Sequence, residues 1–304
     1  MNRTQLTTSA DLTREEVDFF IKEAENLRTQ RTKDLDGVIV ASLFFEPSTR
    51  TRLSFESAVH RLGGRLITVA NASSTSMKKG EALNDTIRVI EKYADILVMR
   101  HPKEGSAAEA IQHTDKPFLN GGDGANQHPT QALLDMYTIQ RECGGIDGKT
   151  IGFVGDLKFG RTVHSLLYLL ALYDVKKIIF ISPTQLKIPN FYLDMLEEKG
   201  IEYIEDSELN KHVPEMDILY MTRIQQERFE NLEEYYFLKG SYILTSDVVR
   251  LGKPSMRVMH PLPRVDEITM EVDGMEQAAY FRQSENGIYM RMALLKTLWN
   301  NYNK

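Results

Sequence analysis

Cysteine is almost absent: the one thiol in the chain is Cys143. A single thiol can build neither a disulfide framework nor a thiolate metal site, so Cys143 reads as an ordinary thiol in a reducing setting. Long apolar runs are missing as well. The longest, such as SLLYLLALY, reach about half of what a membrane span needs. The opening MNRTQLTTSADL lacks the apolar segment of a secretory signal. These absences predict a cytoplasmic protein that makes no membrane contact. Nor is there an excess of basic charge, the formal net charge being −6. A nucleic-acid backbone selects a basic face, so nucleic acid is not an expected partner. A small anionic ligand is not excluded, because it needs only a local cluster of donors. No fixed-period repeat and no low-complexity segment occurs.

What is present is ordinary globular material: 304 residues, 42% hydrophobic and 26% charged, enough for a sizeable core and two domains. Thr13 and Glu16 form a capping box ahead of Val17, Phe20, Ile21 and Ala24, whose spacing predicts a helix. VIVASLFF is too continuously apolar for a half-exposed strand and reads as one buried on both faces. Phe55, Ala58, Val59 and Leu62 resume the helical period, which Gly63-Gly64 ends. RLITVA, DILVMR and PFLN follow as strands, with the helical run GEALNDTIRVIEKY between the first two. PTQALLDMYTIQREC reads as a helix opening on Pro129. Past Gly144-Gly145, KTIGFVG, KKIIFIS, IEYIED, DILYMTR, SYILTS and RVMHPL read as strands, with helices such as TVHSLLYLLALY between them. RMALLKTLWNNYNK reads as a closing helix. This alternation predicts an α/β fold of two domains, each a parallel sheet flanked by helices, with a boundary near Gly144.

Ligands of open parallel sheets bind beyond the carboxyl ends of the strands. The unusual residues gather there: STRTR after VIVASLFF, Arg100-His101 after ILVM, Arg161 after FVGDLKFG, Arg223 after ILYMT, and His260-Pro261-Leu262-Pro263 after RVM. A helix start presents open N–H groups and partial positive charge, and Ser48, Thr49 and Thr51 add hydroxyls there. STRTR alone is balanced between a phosphate socket and a plain cap. Arg50 and Arg52, two apart, face nearly opposite ways on a helix. Arg50, nearer the start, is the ligand candidate and Arg52 a structural ion-pair partner. SMKKGE alone reads as a solvated loop leading into a helix. NQHPTQ sets His128 before a proline and Gln131 in the first turn of a helix, and a lone histidine is more often structural. GDLKFGRT differs from a phosphate-binding loop of the ATPase kind by Arg161 where lysine belongs, and no G-x-G-x-x-G follows TIGFV. Arg161 is instead a candidate for a carboxylate. Leu262-Pro263 invites a cis bond that would turn its carbonyls toward a ligand.

As an ordered set these motifs are far more specific than any one of them. FFEPSTRTRLSFESA, S-x-x-K-G-E, MRHP, NQHPTQ with LLD, VGDLKFGRTVHSL, ILYMTRIQQERF and HPLPRVDEI run along almost the whole chain. The sequence resembles the carbamoyltransferase family, and its aspartate-specific members most closely. The resemblance implies transfer of the carbamoyl group of carbamoyl phosphate to L-aspartate, an early step of pyrimidine synthesis. It implies a carbamoyl-phosphate domain over residues 1–144, an aspartate domain over 145–284, and a C-terminal helix, 285–304, packing back on the first domain. By the same resemblance Ser48, Thr49, Arg50 and Thr51 hold the phosphate, and Arg100 is shared between phosphate and carbonyl oxygen. His128 meets that oxygen, Gln131 the carbamoyl amide, and the carbonyls of Leu262 and Pro263 its nitrogen. Arg161 and Arg223 take the aspartate carboxylates, with Gln225 in support. Ser76 and Lys79 come from a neighbouring subunit of a homotrimer, Lys79 being chosen over Lys78 by counting back from Gly80-Glu81. The resemblance implies no cofactor and no metal, and leaves room for a separate regulatory chain. The rival acceptor is ornithine, against which stands Pro261 where ornithine-specific members carry cysteine. The rival class is a nucleotide-binding protein using GDLKFGRT.

Overall fold

A computed structural model describes residues 2–71, 75–226, 229 and 231–304. The chain forms two compact units: residues up to Tyr137 together with Glu285–Lys304, and Thr138–Ser284.

The first unit carries a five-stranded sheet of β1 (Gln5–Leu6), β2 (Ile39–Phe44), β3 (Arg65–Val69), β4 (Ile96–His101) and β5 (Phe118–Asp123), in the order β1-β5-β4-β2-β3. Every pairing is parallel. The central strands β2 and β4 are buried almost throughout, as continuous apolar runs require when helices cover both faces. Ala41, Leu43, Leu97 and Met99, on one face, pack against α3 (Leu83–Ile90) and α4 (Ser106–Ala110). Strand β3 is largely exposed, in keeping with its place at the edge.

Helix α1 (Arg14–Thr29) begins on the Thr13–Glu16 capping box, with Val17, Phe20, Ile21, Ala24 and Leu27 buried. Helix α2 (Thr49–Arg61) buries Phe55, Ala58 and Val59. It ends as its glycines dictate: Gly63 takes φ 82°, its N–H donates to His60 O (3.1 Å), and the Gly64 N–H donates to Val59 O (2.9 Å). Helix α5 (Pro129–Cys143) is buried along most of its length. Short β1 carries no sequence signal; it is added to the sheet by pairing with β5.

The second unit repeats the plan with β6 (Thr150–Val154), β7 (Lys177–Ile181), β8 (Tyr203–Asp206), β9 (Ile218–Met221) and β10 (Arg257–Met259), ordered β10-β9-β6-β7-β8 and all parallel. Its helices are α6 (Arg161–Leu170), α7 (Asn190–Glu198), α8 (Leu209–His212), α9 (Leu232–Leu238) and α10 (Ser246–Arg250). Val154, Ile181, Leu219, Met221 and Val258 share a core with Leu209, Val213 and Val249. SYILTS is not a strand. Within it Leu244 makes one isolated bridge to Ile268, and Thr245 caps α10 by accepting from Val248 N at 3.3 Å. The apolar pattern there marks burial of Leu244, and the T-S-D sequence that follows is a helix start.

The last helix, α11 (Tyr280–Tyr302), begins well before Arg291. Gly287 hides this in the sequence, since glycine disfavours a helix interior. The residue is small for a packing reason: a Cβ there would lie 2.5 Å from Arg291 Nη1 and 3.0 Å from Leu134 Cδ2. Among the described residues no helix is long and apolar enough to cross a membrane.

Candidate active site

In each sheet the strand order reverses once, and ligands of open α/β sheets bind at such points. In the first unit the reversal lies between β2 and β4, where Phe44 pairs with Arg100 and the Phe45 N–H donates to Arg100 O (2.9 Å). Ser48 occupies the cap position of α2 in extended conformation, yet its side chain makes no capping hydrogen bond, and no acidic residue stands in the first turn. Thr49 and Arg50 are exposed and Thr51 is buried. Arg52 turns along the helix to Glu56, 3.8 Å away, whose Oε1 also accepts from Ser42 Oγ and Thr68 Oγ1, both at 3.2 Å. Its partners belong to the helix and the sheet, as an i, i+4 ion pair predicts.

Arg100, from the end of β4, reaches Glu46 with Nη2 at 3.3 Å. Its neighbour His101 accepts the Lys103 N–H at Nδ1 (3.0 Å) and packs edge-on to Phe45. Burial pushes its imidazole below the ordinary range, helped by Lys103.

His128 is buried just ahead of α5, and its carbonyl accepts from the Gln131 and Ala132 N–H groups (3.0 and 3.1 Å). The loop that delivers it is organised by Asp123, which is 1% exposed. One carboxylate oxygen accepts from Asn120 Nδ2 (2.9 Å) and Gln127 N (3.2 Å), the other from Gly105 N and Asn126 Nδ2 (both 3.0 Å). Gln131 donates to Asp135 Oδ1 at 2.9 Å. Behind it Arg291, wholly buried, stacks over Phe55 at 5.0 Å. Burial disfavours its charge, and the Asp135 carboxylate opposes that effect. Ser76 and Lys79 sit in a single exposed turn, Ser76–Lys79, closed by Gly80.

In the second unit the reversal lies between β6 and β9, where Val154 pairs with Met221. Gly155 follows at φ 114°, and a Cβ there would lie 2.5 Å from Thr222 O, so the strands approach closely only because glycine stands there. Thr222 Oγ1 donates to Val154 O and accepts from Asp156 N, each at 2.9 Å. Asp156 is fully buried and accepts from Phe159 N at 3.0 Å. Burial pushes its carboxyl above the usual carboxylate range, against the pull of the Phe159 and Gln225 donors. Leu157 N–H donates to Leu186 O (3.1 Å), and Arg161 N–H to Phe159 O (2.9 Å). The main-chain donors of Gly155, Asp156, Leu157, Phe159 and Arg161 in GDLKFGRT are thus spent within the fold, which weighs against a nucleotide loop.

Arg161 opens α6, half-buried. One turn on, His164 donates from Nε2 to Leu157 O (2.8 Å) and stacks on Tyr192. Burial pushes its imidazole down. Arg223 leaves β9 half-buried and lines a small cleft with Gly155, Thr222, Lys239, Asp266 and Glu267. Gln225 donates to Phe159 O at 3.2 Å, joining the β9 loop to the Arg161 loop. Glu227 and Arg228 of TRIQQERF lie outside the described residues.

The HPLP turn follows β10. Leu262-Pro263 is cis and Leu262 takes φ 56°. His260 Nδ1 accepts the Leu262 N–H (2.7 Å), and Nε2 meets Glu267 Oε1 (2.7 Å). Among the described residues no group of three or more His, Cys, Asp and Glu side chains is arranged to hold a metal ion.

An open-capped helix start and Arg100 thus lie at the first reversal, and Arg161 and Arg223 follow the two strands of the second. Family models fit both parts: residues 4–141 match the aspartate/ornithine carbamoyltransferase carbamoyl-P binding domain, and 147–298 the Asp/Orn binding domain. The chain belongs to the aspartate/ornithine carbamoyltransferase family. It is 53% identical over 290 residues to the aspartate carbamoyltransferase catalytic subunit of Thermococcus kodakarensis, covering 94% of this chain and 93% of the relative. Its structure is similar to that of the M. jannaschii aspartate transcarbamoylase catalytic subunit, with TM-score 0.90 at 49% identity, covering 97% of this chain and 98% of the other. It is also similar to the Trypanosoma cruzi aspartate transcarbamoylase in complex with carbamoyl phosphate and aspartate, with TM-score 0.92 at 39% identity, covering 97% and 96%.

In this carbamoyltransferase chain the first reversal gathers Ser48, Thr49, Arg50, Thr51 and Arg100, and the second gathers Arg161, Arg223 and Gln225. The sequence alone misses the carboxylates that hold these loops: Glu46, Asp123, Asp135, Asp156 and Glu267. None has a diagnostic spacing. The one signal available is an acidic residue inside a motif that otherwise collects donors.

Proposed function

We propose that this chain transfers the carbamoyl group of carbamoyl phosphate to the α-amino group of L-aspartate, giving N-carbamoyl-L-aspartate and phosphate, an early step of pyrimidine synthesis. The observation that carries this reading is the start of α2. Ser48 holds the cap position without spending its hydroxyl on the helix, and Arg100 stands on the adjoining strand. Helix N-terminal amides and an arginine fork are the natural partners of a phosphate dianion.

In this reading Ser48, Thr49, Arg50 and Thr51 bind the phosphate, and Arg100 and His128 face the carbamoyl oxygen. Gln131 and the carbonyls of Leu262 and Pro263 hold the carbamoyl nitrogen. Arg161 and Arg223 take the two carboxylates of aspartate, with Gln225 in support. The amine attacks the carbamoyl carbon, a tetrahedral intermediate forms, and phosphate leaves, taking the amine proton. Charge grows on the carbonyl oxygen and on the leaving phosphate, where fixed donors stabilise it selectively. Holding both substrates adds the proximity contribution. Buried His128 serves as a donor to the oxygen. Aspartate is favoured over ornithine because two arginines suit a dicarboxylate, whereas an ornithine amine would want a carboxylate partner.

Ser76 and Lys79 are exposed on their own chain, which fits donation to a neighbouring subunit. The active form in this reading is a cytoplasmic homotrimer with shared sites, and a regulatory chain is a further candidate partner. Assaying carbamoylation of both amino acids tests the activity: turnover of ornithine without aspartate would sink it. Sizing the purified chain tests the trimer, and an active monomer would remove the role given to Lys79.

A further inference from the structure

The turn His260-Pro261-Leu262-Pro263 contains two prolines, which carry no N–H, so Leu262 has the one backbone donor between His260 and Arg264. That donor goes to His260 Nδ1 at 2.7 Å. Leu262 meanwhile adopts φ 56°, a conformation that a branched residue holds only where its surroundings over-determine it. An amide nitrogen only donates, so Nδ1 is bare and the ring proton lies on Nε2. Nε2 therefore donates to Glu267 Oε1 at 2.7 Å. Glu267 Oε2 accepts from the N–H groups of Val265 and Asp266, at 3.0 and 3.2 Å, which fixes the carboxylate in turn. On the other side the His260 N–H donates to Gln283 Oε1 at 2.8 Å. His260 itself is 1% exposed and Glu267 7%.

We propose that the His260–Glu267 pair positions the Leu262 and Pro263 carbonyls, the pair acting through the single Leu262 N–H to set how well the site prefers a carbamoyl group to an acyl group that lacks N–H. His260 and Glu267 are positioning residues and do not touch substrate. The inference rests on the reading that these carbonyls accept from the carbamoyl nitrogen.

Two substitutions separate the parts of the ring. In His260→Asn the amide oxygen can stand near Nδ1 and accept from Leu262, but the side chain does not reach Glu267. In His260→Gln the longer amide reaches Glu267 and leaves Leu262 without its acceptor. Binding of carbamoyl phosphate and of acetyl phosphate, in which a methyl replaces the amide, is measured by calorimetry on the whole protein. Hydrogen exchange of the 260–264 segment is followed alongside. The expected result for His260→Gln is about tenfold weaker carbamoyl phosphate binding, unchanged acetyl phosphate binding and faster Leu262 exchange, the scale of one lost hydrogen bond. His260→Asn should restore both the preference and the protection.

Unchanged exchange in His260→Gln overturns the tether. Faster exchange with the carbamoyl preference intact overturns the link from tether to substrate. Should wild-type protein itself bind both phosphates equally, the underlying assignment of the carbonyls fails, which is a separate result. Should His260→Gln lose acetyl phosphate too, through misfolding, Glu267→Gln decides. It keeps an acceptor for Nε2–H and loses one for the Val265 and Asp266 amides, so a smaller loss of preference supports the proposal and none overturns it.

Discussion

In the first unit the reversal of strand order is armed from a helix start whose cap residue keeps its hydroxyl off the helix. In the second, the amides of Asp156, Leu157, Phe159 and Arg161 bond to Thr222, Leu186, Asp156 and Phe159, and Arg161 and Arg223 lie in the segments that follow β6 and β9. In the proposed reading one sheet plan carries two ways of holding an anion. A tetrahedral phosphate accepts many bonds from converging donors, for which a helix start is preformed. A flat carboxylate suits a planar two-pronged donor, so in that reading the guanidinium does the recognition and the loop need not offer its amides.

The sharpest way to break that comparison is a pair of substitutions. Arg50→Ala should lower kcat/KM by about 10²–10³-fold, the scale of one donor lost from a charge-stabilising set, and abolish carbamoyl phosphate binding in a calorimeter. Arg223→Ala should raise the KM for aspartate by a similar factor and leave carbamoyl phosphate binding within about twofold. Equal loss of carbamoyl phosphate binding in both would dissolve the division of labour.

Next come the supports. Asp123→Ala in the first unit strands four donors, and Gly155→Ala in the second drives a Cβ toward Thr222 O at a positive φ. Each should destabilise the protein by about 2–4 kcal/mol, read as a lower Tm and denaturation midpoint. A neutral Gly155→Ala would mean that β6 and β9 can separate at that point without cost.

Each unit also buries one histidine whose pKa is pushed down, His101 and His164. Well above pH 6.5 both are neutral whether folded or not, and their titration takes nothing from stability. As pH falls below that value the unfolded chain takes up protons first. Stability is then lost until the folded histidines titrate, at no more than about 1.4 kcal/mol per pH unit for each. His101→Gln and His164→Gln should each flatten the acid limb of stability against pH, and a limb unchanged by both would assign it to carboxylates instead. The smallest effect belongs to Cys143, whose thiol burial pushes up to about 11. Iodoacetamide should react slowly at pH 8, with a rate that climbs toward pH 11 and a midpoint there rather than near the usual 8.5.

Much of this was legible in the residues. VIVASLFF read as a strand buried on both faces, the Thr13–Glu16 box marked a helix start, and STRTR and ILYMTR placed donors at strand ends. Where the reading went astray, long-range packing had the deciding vote. SYILTS has a strand's composition, but one bridge and a helix cap claim its residues. Gly287 disguised the front of α11 because the residue serves a close approach to Leu134 rather than the helix. The supporting carboxylates were invisible for a related reason. Asp123 meets Gly105 across a gap in sequence, and nothing local announces such a bond.

The two stretches that make up the first unit have a consequence for how the protein is born. Glu285–Lys304 belongs with residues up to Tyr137, while the second unit is one unbroken stretch. Lys296 pairs with Glu23 at 2.9 Å, Arg28 with Asn286 at 3.0 Å, and Asn301 donates to the Arg3 carbonyl at 2.9 Å. On a ribosome the residues up to Tyr137 therefore wait for α11, which is made after the whole of the second unit. The stretch translated first is completed only then, and a chain that lacked α11 would spoil the fold of residues made long before.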